Sequence, residues 1–229
     1  MADSSAQRVV DLSHTIEAGL VTYKGLPAPV MCDYLSRAAS RGVYDPGTEF
    51  QIGRLEMVGN TGTYLDTPFH RYADGDDLAG LDLAVVAGRD GVVIDATGVA
   101  GRAIDWPHFA SAEVRGRAVL VHTGWDRHWR TDAYFDGHPF LTAAAAEGLR
   151  DAGAVLVGID SHNIDDTGGG TRPAHTILLG AGIPIVEHMT GLGGLPAAGF
   201  RFFAVPPKVR GMGTFPVRAH AIVAGPGDD

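Results

Sequence analysis

The chain has 229 residues, enough for one sizeable core, and no Ser/Gly-rich or charged linker divides it, so a single domain over residues 1–229 is expected. With 27 acidic and 18 basic side chains the formal charge is −9, and Lys24, Arg54, Arg71, Lys208, Arg210 and Arg218 are scattered rather than clustered, which argues against nucleic acid as a partner. No apolar run reaches the roughly 18–20 residues of a membrane span, and the first five residues lack the basic and apolar regions of a signal peptide, so a cytoplasmic chain with no membrane partner is expected.

Short apolar runs between turn residues predict strands over residues 8–12, 51–58, 91–95, 118–123, 154–160, 183–187, 202–205 and 217–223. Cys32, the only cysteine, excludes an intrachain disulfide and reads as a small core or loop residue rather than a nucleophile. Weak helices are predicted over 81–86 and 106–110. Trp125, Trp129, Tyr134 and Phe135 form an aromatic group that fills a core or interface, or else walls a substrate pocket. The clearest helix covers 142–152, where Thr142 can cap, alanines carry high propensity, and Gly153 supplies the left-handed position that ends it. With 32 glycines and 13 prolines, much of the chain must lie in shaped turns, so the fold class is α/β, strand-rich with few helices.

Two segments concentrate polar chemistry. Residues 60–70 bring an amide (Asn60), a phenol (Tyr64), a carboxylate (Asp66) and an imidazole (His70) into eleven positions. Residues 160–166 (DSHNIDD) leave an apolar strand at what should be a cleft edge, where His162 is a candidate substrate contact and Asn163 and Asp165 can also satisfy turn amides. Lys208 and Arg210 precede a glycine-bearing loop, 211–216, that lacks the pattern of a phosphate-binding loop, and no G-x-S-x-G elbow exists.

The segment Asn60–His70 resembles H-x-G-T-H-x-D-x-P-x-H, the signature of the cyclase family that includes bacterial kynurenine formamidase, isatin hydrolase and several polyketide cyclases. The resemblance extends to Asp11-Leu12-Ser13-His14, to Asp74–Leu83, to Gly158–Ser161, to His175 and to Glu187 behind an apolar strand. It implies a swivelling β/β/α fold and a homodimer or homotetramer. In the family the first two motif His and the Asp bind metal and the last His serves in catalysis; here Asn60 and Tyr64 stand in the places of the two metal-binding His.

The resemblance therefore implies a reduced metal site, Asp66, His175 and Glu187, holding one divalent metal, zinc or manganese, or no metal at all. One imidazole and two carboxylates with an open position suit such an ion, which would activate water and polarise a carbonyl. His70 is the expected general acid/base, its ordinary pKa suiting proton transfer at neutral pH. Asn60 and Tyr64 would orient substrate or stabilise developing charge. Arg172 could receive a substrate carboxylate through a bidentate contact, and His14 lines the site or packs behind it. The expected activity is hydrolysis of an amide, lactam or lactone in a small cyclic or aromatic substrate. Two alternatives stand beside it: a metal-independent cyclase or dehydratase using Tyr64 and His70 as an acid/base pair, and a non-catalytic protein that binds a small molecule in the same pocket.

Overall fold

Thirteen strands and four helices form in the computed structural model, which describes residues 7–224. The strands are β1 (Arg8–Asp11), β2 (Val30–Leu35), β3 (Ile52–Glu56), β4 (Tyr64–Asp66), β5 (Ala87–Asp95), β6 (Ala103–Ile104), β7 (Ala118–His122), β8 (Phe140–Leu141), β9 (Leu156–Ile159), β10 (Ile185–Glu187), β11 (Ala198–Phe203), β12 (Thr214–Pro216) and β13 (His220–Val223). The helices are α1 (Arg37–Ser40), α2 (Leu83–Val86), α3 (Ala143–Ala152) and α4 (Pro173–Gly180). No helix among the described residues is long and apolar enough to cross a membrane.

Nine strands join into one sheet in the order β1-β13-β11-β5-β7-β9-β10-β4-β12. The middle, β5-β7-β9-β10, is parallel, and the flanks are antiparallel. Parallel strands covered on both faces read as continuous apolar runs, and β9 and β10 are buried throughout. Side chains alternate between two cores. Val119, Val121, Val157, Ile159 and Ile185 pack under α3 and α4 on one face, while Leu120, Leu156, Val186 and Leu65 face Phe200 and Phe202 on the other. This is the expected strand-rich α/β class.

The predicted helix over 142–152 forms as α3, with the Thr142 hydroxyl accepting from Ala145 N at 3.1 Å and Gly153 ending it at φ +86°. The helix expected over 106–110 is only a short 3-10 turn, Trp106–His108; the strand expected over 217–223 shortens to β13, and β12 just before it was not expected. Helix α4 was not anticipated, because its short sequence shows little contrast between faces and its first residue is a proline preceded by Arg172, which makes no side-chain cap. Its cap comes from outside the helix: Asp165 accepts from Ala174 N at 2.7 Å and from His175 N at 3.0 Å. Strands β2 and β3 form a separate two-stranded hairpin, and Cys32 lies exposed on it instead of in a core or loop.

Candidate active site

Register brings the polar residues together. On β4, Tyr64 and Asp66 face the same side, toward α4, while Leu65 enters the opposite core. Tyr64 lies directly across from Glu187 on β10, and its Oη donates to Glu187 Oε2 at 2.7 Å. Asp66 lies across from Thr214 on β12, whose hydroxyl donates to Asp66 Oδ1. These are cross-strand pairs at facing positions, where side chains meet most closely.

The small residues of the motif hold this geometry. The Thr61 hydroxyl donates to Val58 O at 2.7 Å, Gly62 N donates to Thr22 Oγ1 at 2.8 Å, and the Thr63 hydroxyl donates to His188 O. After Asp66, Pro68 opens a 3-10 turn (Pro68–His70) that swings His70 back beside Asp66. Gly213 packs under that turn so closely that a Cβ there would fall 2.2 Å from His70 N. Its carbonyl accepts Thr67 N at 2.7 Å.

His70 Nδ1 lies 2.8 Å from Thr214 Oγ1. Since the Thr214 proton goes to Asp66, the network assigns the imidazole as the Nδ1–H tautomer, leaving Nε2 as a free base. His175, from α4, is fixed the same way: Nδ1 hydrogen-bonds Asp165 Oδ2 at 2.7 Å, and Nε2 faces Asp66 Oδ2 at 3.7 Å and Glu187 Oε1 at 3.8 Å. A carboxylate that holds the far nitrogen of an imidazole orients the near one toward a metal. Glu187 Oε1 also accepts Ile164 N at 2.7 Å.

Asp66, Asp165 and Glu187 are buried with a single imidazole between them. Burial opposes a charge on His175, but Glu187 and the hydrogen bonds of Asp165 and Asp66 raise its pKa to about 10. Burial lifts Glu187 to about 7 against the pull of His175. Burial, and then the charge of Glu187, pushes the Tyr64 phenol well above its ordinary value. Asp66 Oδ2 is buried with no hydrogen-bond partner, an arrangement that costs free energy unless a cation or proton fills the gap. Asp66, His70 and His175 each offer one ligand atom, all within 4.8 Å of one another, a donor set that suits a borderline divalent metal. Glu187, expected as the third ligand, stands outside that group, with one oxygen taken by Tyr64 and the other by Ile164 N.

A cavity of ≈ 800 Å³ opens over this cluster. Tyr23, Leu26, Pro173 and Ile177 supply apolar wall, and Asn60, Tyr64, His70, His175 and Glu187 supply polar floor. Arg172, the expected receiver of a substrate carboxylate, lines it, with its Nη1 donating to the carbonyls of Asp166, Gly169 and Thr171. Arg71, not singled out from the sequence, lines it too. His14 and His162 do not. His14 stacks on Trp129 with ring centroids 4.0 Å apart, and His162 packs among Tyr23, Tyr134, Phe135 and His138. Burial lowers their pKa values to about 4 and about 3. His188, next to Glu187, takes φ +53° and turns its ring into the same neutral aromatic group, which also holds Trp129 and Tyr134. Thr214 and Asp165 were missed as site residues; the one sat in a loop read only for phosphate chemistry, the other was weighed only as a turn carboxylate.

Solved structures share this fold, and a curated relative resembles the sequence along most of its length. Isatin hydrolase A from Labrenzia aggregata, whose structure has benzyl benzoate bound, aligns at a TM-score of 0.82 with 23% identity, covering 96% of this chain and 95% of that one. A structure described as a potential metal-dependent hydrolase with cyclase activity aligns at 0.78 with 25% identity, covering 96% and 100%. Kynurenine formamidase from Erythrobacter litoralis is 28% identical over 207 residues, 90% of this chain and 89% of the relative. The family model "Putative cyclase" matches residues 10–166, more than half of the sequence and the whole of the Asn60–His70 motif, and the chain belongs to the cyclase family.

Proposed function

We propose that the protein hydrolyses a C–N bond, an amide or lactam, in a small aromatic or cyclic substrate, with His70 as general acid/base beside one divalent metal, zinc or manganese. The observation that carries this reading is the convergence of the unpartnered, buried Asp66 Oδ2 with His70 and His175, which line the floor of a largely apolar cavity. The named activities of relatives, kynurenine formamidase and isatin hydrolase, support the reaction class.

Asp66 and His175 would hold the metal, with His70 beside it as the base and Glu187, hydrogen-bonded to Tyr64 and Ile164 N, facing His175 Nε2 at 3.8 Å. A metal there polarises a substrate carbonyl and lowers the pKa of water. In the Nδ1–H tautomer that Thr214 sets, His70 Nε2 carries the free lone pair, and it would take the proton of the attacking water and return it to the leaving nitrogen. Asn60 lines the cavity where a side-chain N–H can meet a developing oxyanion. Tyr64 positions Glu187, since its proton is already donated there. That contact disfavours the metal-free reading, in which the Tyr64 hydroxyl would have to protonate substrate. Arg71 and Arg172 at the wall would receive an anionic group of the substrate.

Metal content of purified protein, measured beside Asp66→Ala, tests the reading together with turnover of an N-formyl aryl amine. About one equivalent of metal that is lost in Asp66→Ala is expected, as is a roughly 10²–10⁴-fold fall in kcat/KM for His70→Ala. Turnover undiminished in His70→Ala, or undiminished after chelation, would overturn it.

A further inference from the structure

Tyr64 Oη has partners on two sides, and only one of them faces the cavity. It donates to Glu187 Oε2 at 2.7 Å, while His188 Nε2 lies 3.3 Å away in the aromatic backing. A phenol holds a single proton. With that proton given to Glu187, Tyr64 can only accept from His188, so the imidazole must carry its own proton on Nε2. The opposite tautomer would offer a bare Nε2 and draw the Tyr64 proton away from the carboxylate.

Tyr134 selects the tautomer. Its Oη lies 2.8 Å from His188 Nδ1 and 3.2 Å from Ser161 O, and the second contact is beyond the usual O–H···O range. The Tyr134 proton therefore points to Nδ1, which leaves the His188 proton on Nε2. Donors then run in one direction, from Tyr134 to His188, to Tyr64 and to Glu187, through side chains no more than 1% exposed. Away from water, each bond in such a chain polarises the next. We infer that His188 and Tyr134 are positioning residues: they fix the direction of the Tyr64 proton and so keep the Glu187 carboxylate turned to His175, whose Nε2 lies 3.8 Å from Glu187 Oε1.

Packing alone does not require an imidazole at this place. A phenyl ring would fill the space among Tyr23, Trp129 and Tyr134 and leave no buried nitrogen to satisfy. Of the four histidines gathered here, His14, His138 and His162 each keep one buried ring nitrogen without a partner, and His188 alone has both nitrogens bonded. Its backbone is also held at φ +53°, a left-handed conformation unfavourable for a residue with a side chain. The Thr63 hydroxyl, from the motif segment, donates to His188 O, and Met189 N donates to Ile159 O at 3.0 Å, which pins that conformation.

The expected effect on turnover rests on the hydrolysis proposed above; the placing of the proton does not. Nitrogen-15 NMR of the imidazoles in the full-length protein, with and without added zinc, reads the tautomer directly, and His188→Gln assigns the signal. Wild type is expected to carry the His188 proton on Nε2. Tyr134→Phe, which keeps the ring and removes only the hydroxyl, should move that proton to Nδ1 and lower kcat for an N-formyl aryl amine roughly tenfold with KM unchanged. His188→Gln places a side-chain N–H near the position of Nε2–H, so its kcat should exceed that of His188→Leu by roughly threefold to tenfold. An Nδ1–H tautomer in wild type, a tautomer unmoved in Tyr134→Phe, or equal kcat in His188→Gln and His188→Leu would each overturn the inference. A wild type without turnover counts against the proposed reaction alone, and the NMR result then decides the positioning.

Discussion

One buried histidine on the cavity side of Tyr64 and a cluster of histidines behind it experience opposite electrostatic environments. On the cavity side, His175 lies among Asp66, Asp165 and Glu187, which raise its pKa to about 10 against its burial when no cation takes the proton's place. Behind Tyr64, desolvation by burial, followed by their mutual repulsion, pushes His188 well below its ordinary value, while burial takes His162 to about 3 and His14 to about 4. Degree of burial does not separate the two groups, since both are desolvated; neighbouring carboxylates do. Tyr64 is the boundary, donating to Glu187 Oε2 at 2.7 Å and standing 3.3 Å from His188 Nε2. Fixed negative charge thus collects where a cation can be held, beside an apolar, uncharged backing.

The largest break in this contrast should come from Asp165→Asn. It removes the carboxylate that orients His175 Nδ1 while leaving one side-chain oxygen to cap α4, so metal affinity should fall roughly 10–100-fold with the fold retained. A metal titration followed by calorimetry checks this, and unchanged affinity would remove Asp165 from the site. A smaller effect is expected from Thr214→Val, which takes away the hydroxyl between His70 and Asp66: kcat/KM should drop roughly tenfold, with Thr214→Ser restoring it. The smallest concerns the neutral side. His162 and His14 have depressed pKa values in the folded chain, so their contribution to stability is complete above about pH 6.5 and is lost as pH falls toward 3–4. Urea midpoints at pH 4.5 and 7.5 should therefore differ less in His162→Gln than in wild type. His175 runs the other way, its contribution complete below 6.5 and lost as pH rises toward 10.

Much of the sheet was legible because the central strands are buried on both faces and spell continuous apolar runs, as at Ala118–His122 and Leu156–Ile159. Helix α3 was legible from a local cap and a terminating glycine. Helix α4 was not, because its cap is a carboxylate eight residues before its start, reached only after the chain has turned. Strand β3 falls within the run 51–58, but its partner β2 was not legible, because its residues are almost all exposed and no burial pattern marks them.

The site divides along the same line. The sequence by itself determined which groups were available, Asn60, Tyr64, Asp66, His70, His175 and Glu187, and the family motif that frames the first four. Tertiary structure alone decided their partnerships: that Tyr64 serves Glu187, that Thr214 joins His70 to Asp66, that Asp165 aims His175, and that His14 and His162 lie outside the cavity. Those contacts cross sequence separations of 10 to 148 residues. They depend on the register of β4 against β10 and β12, and on the placing of α4 over the sheet, which arise from packing the whole core.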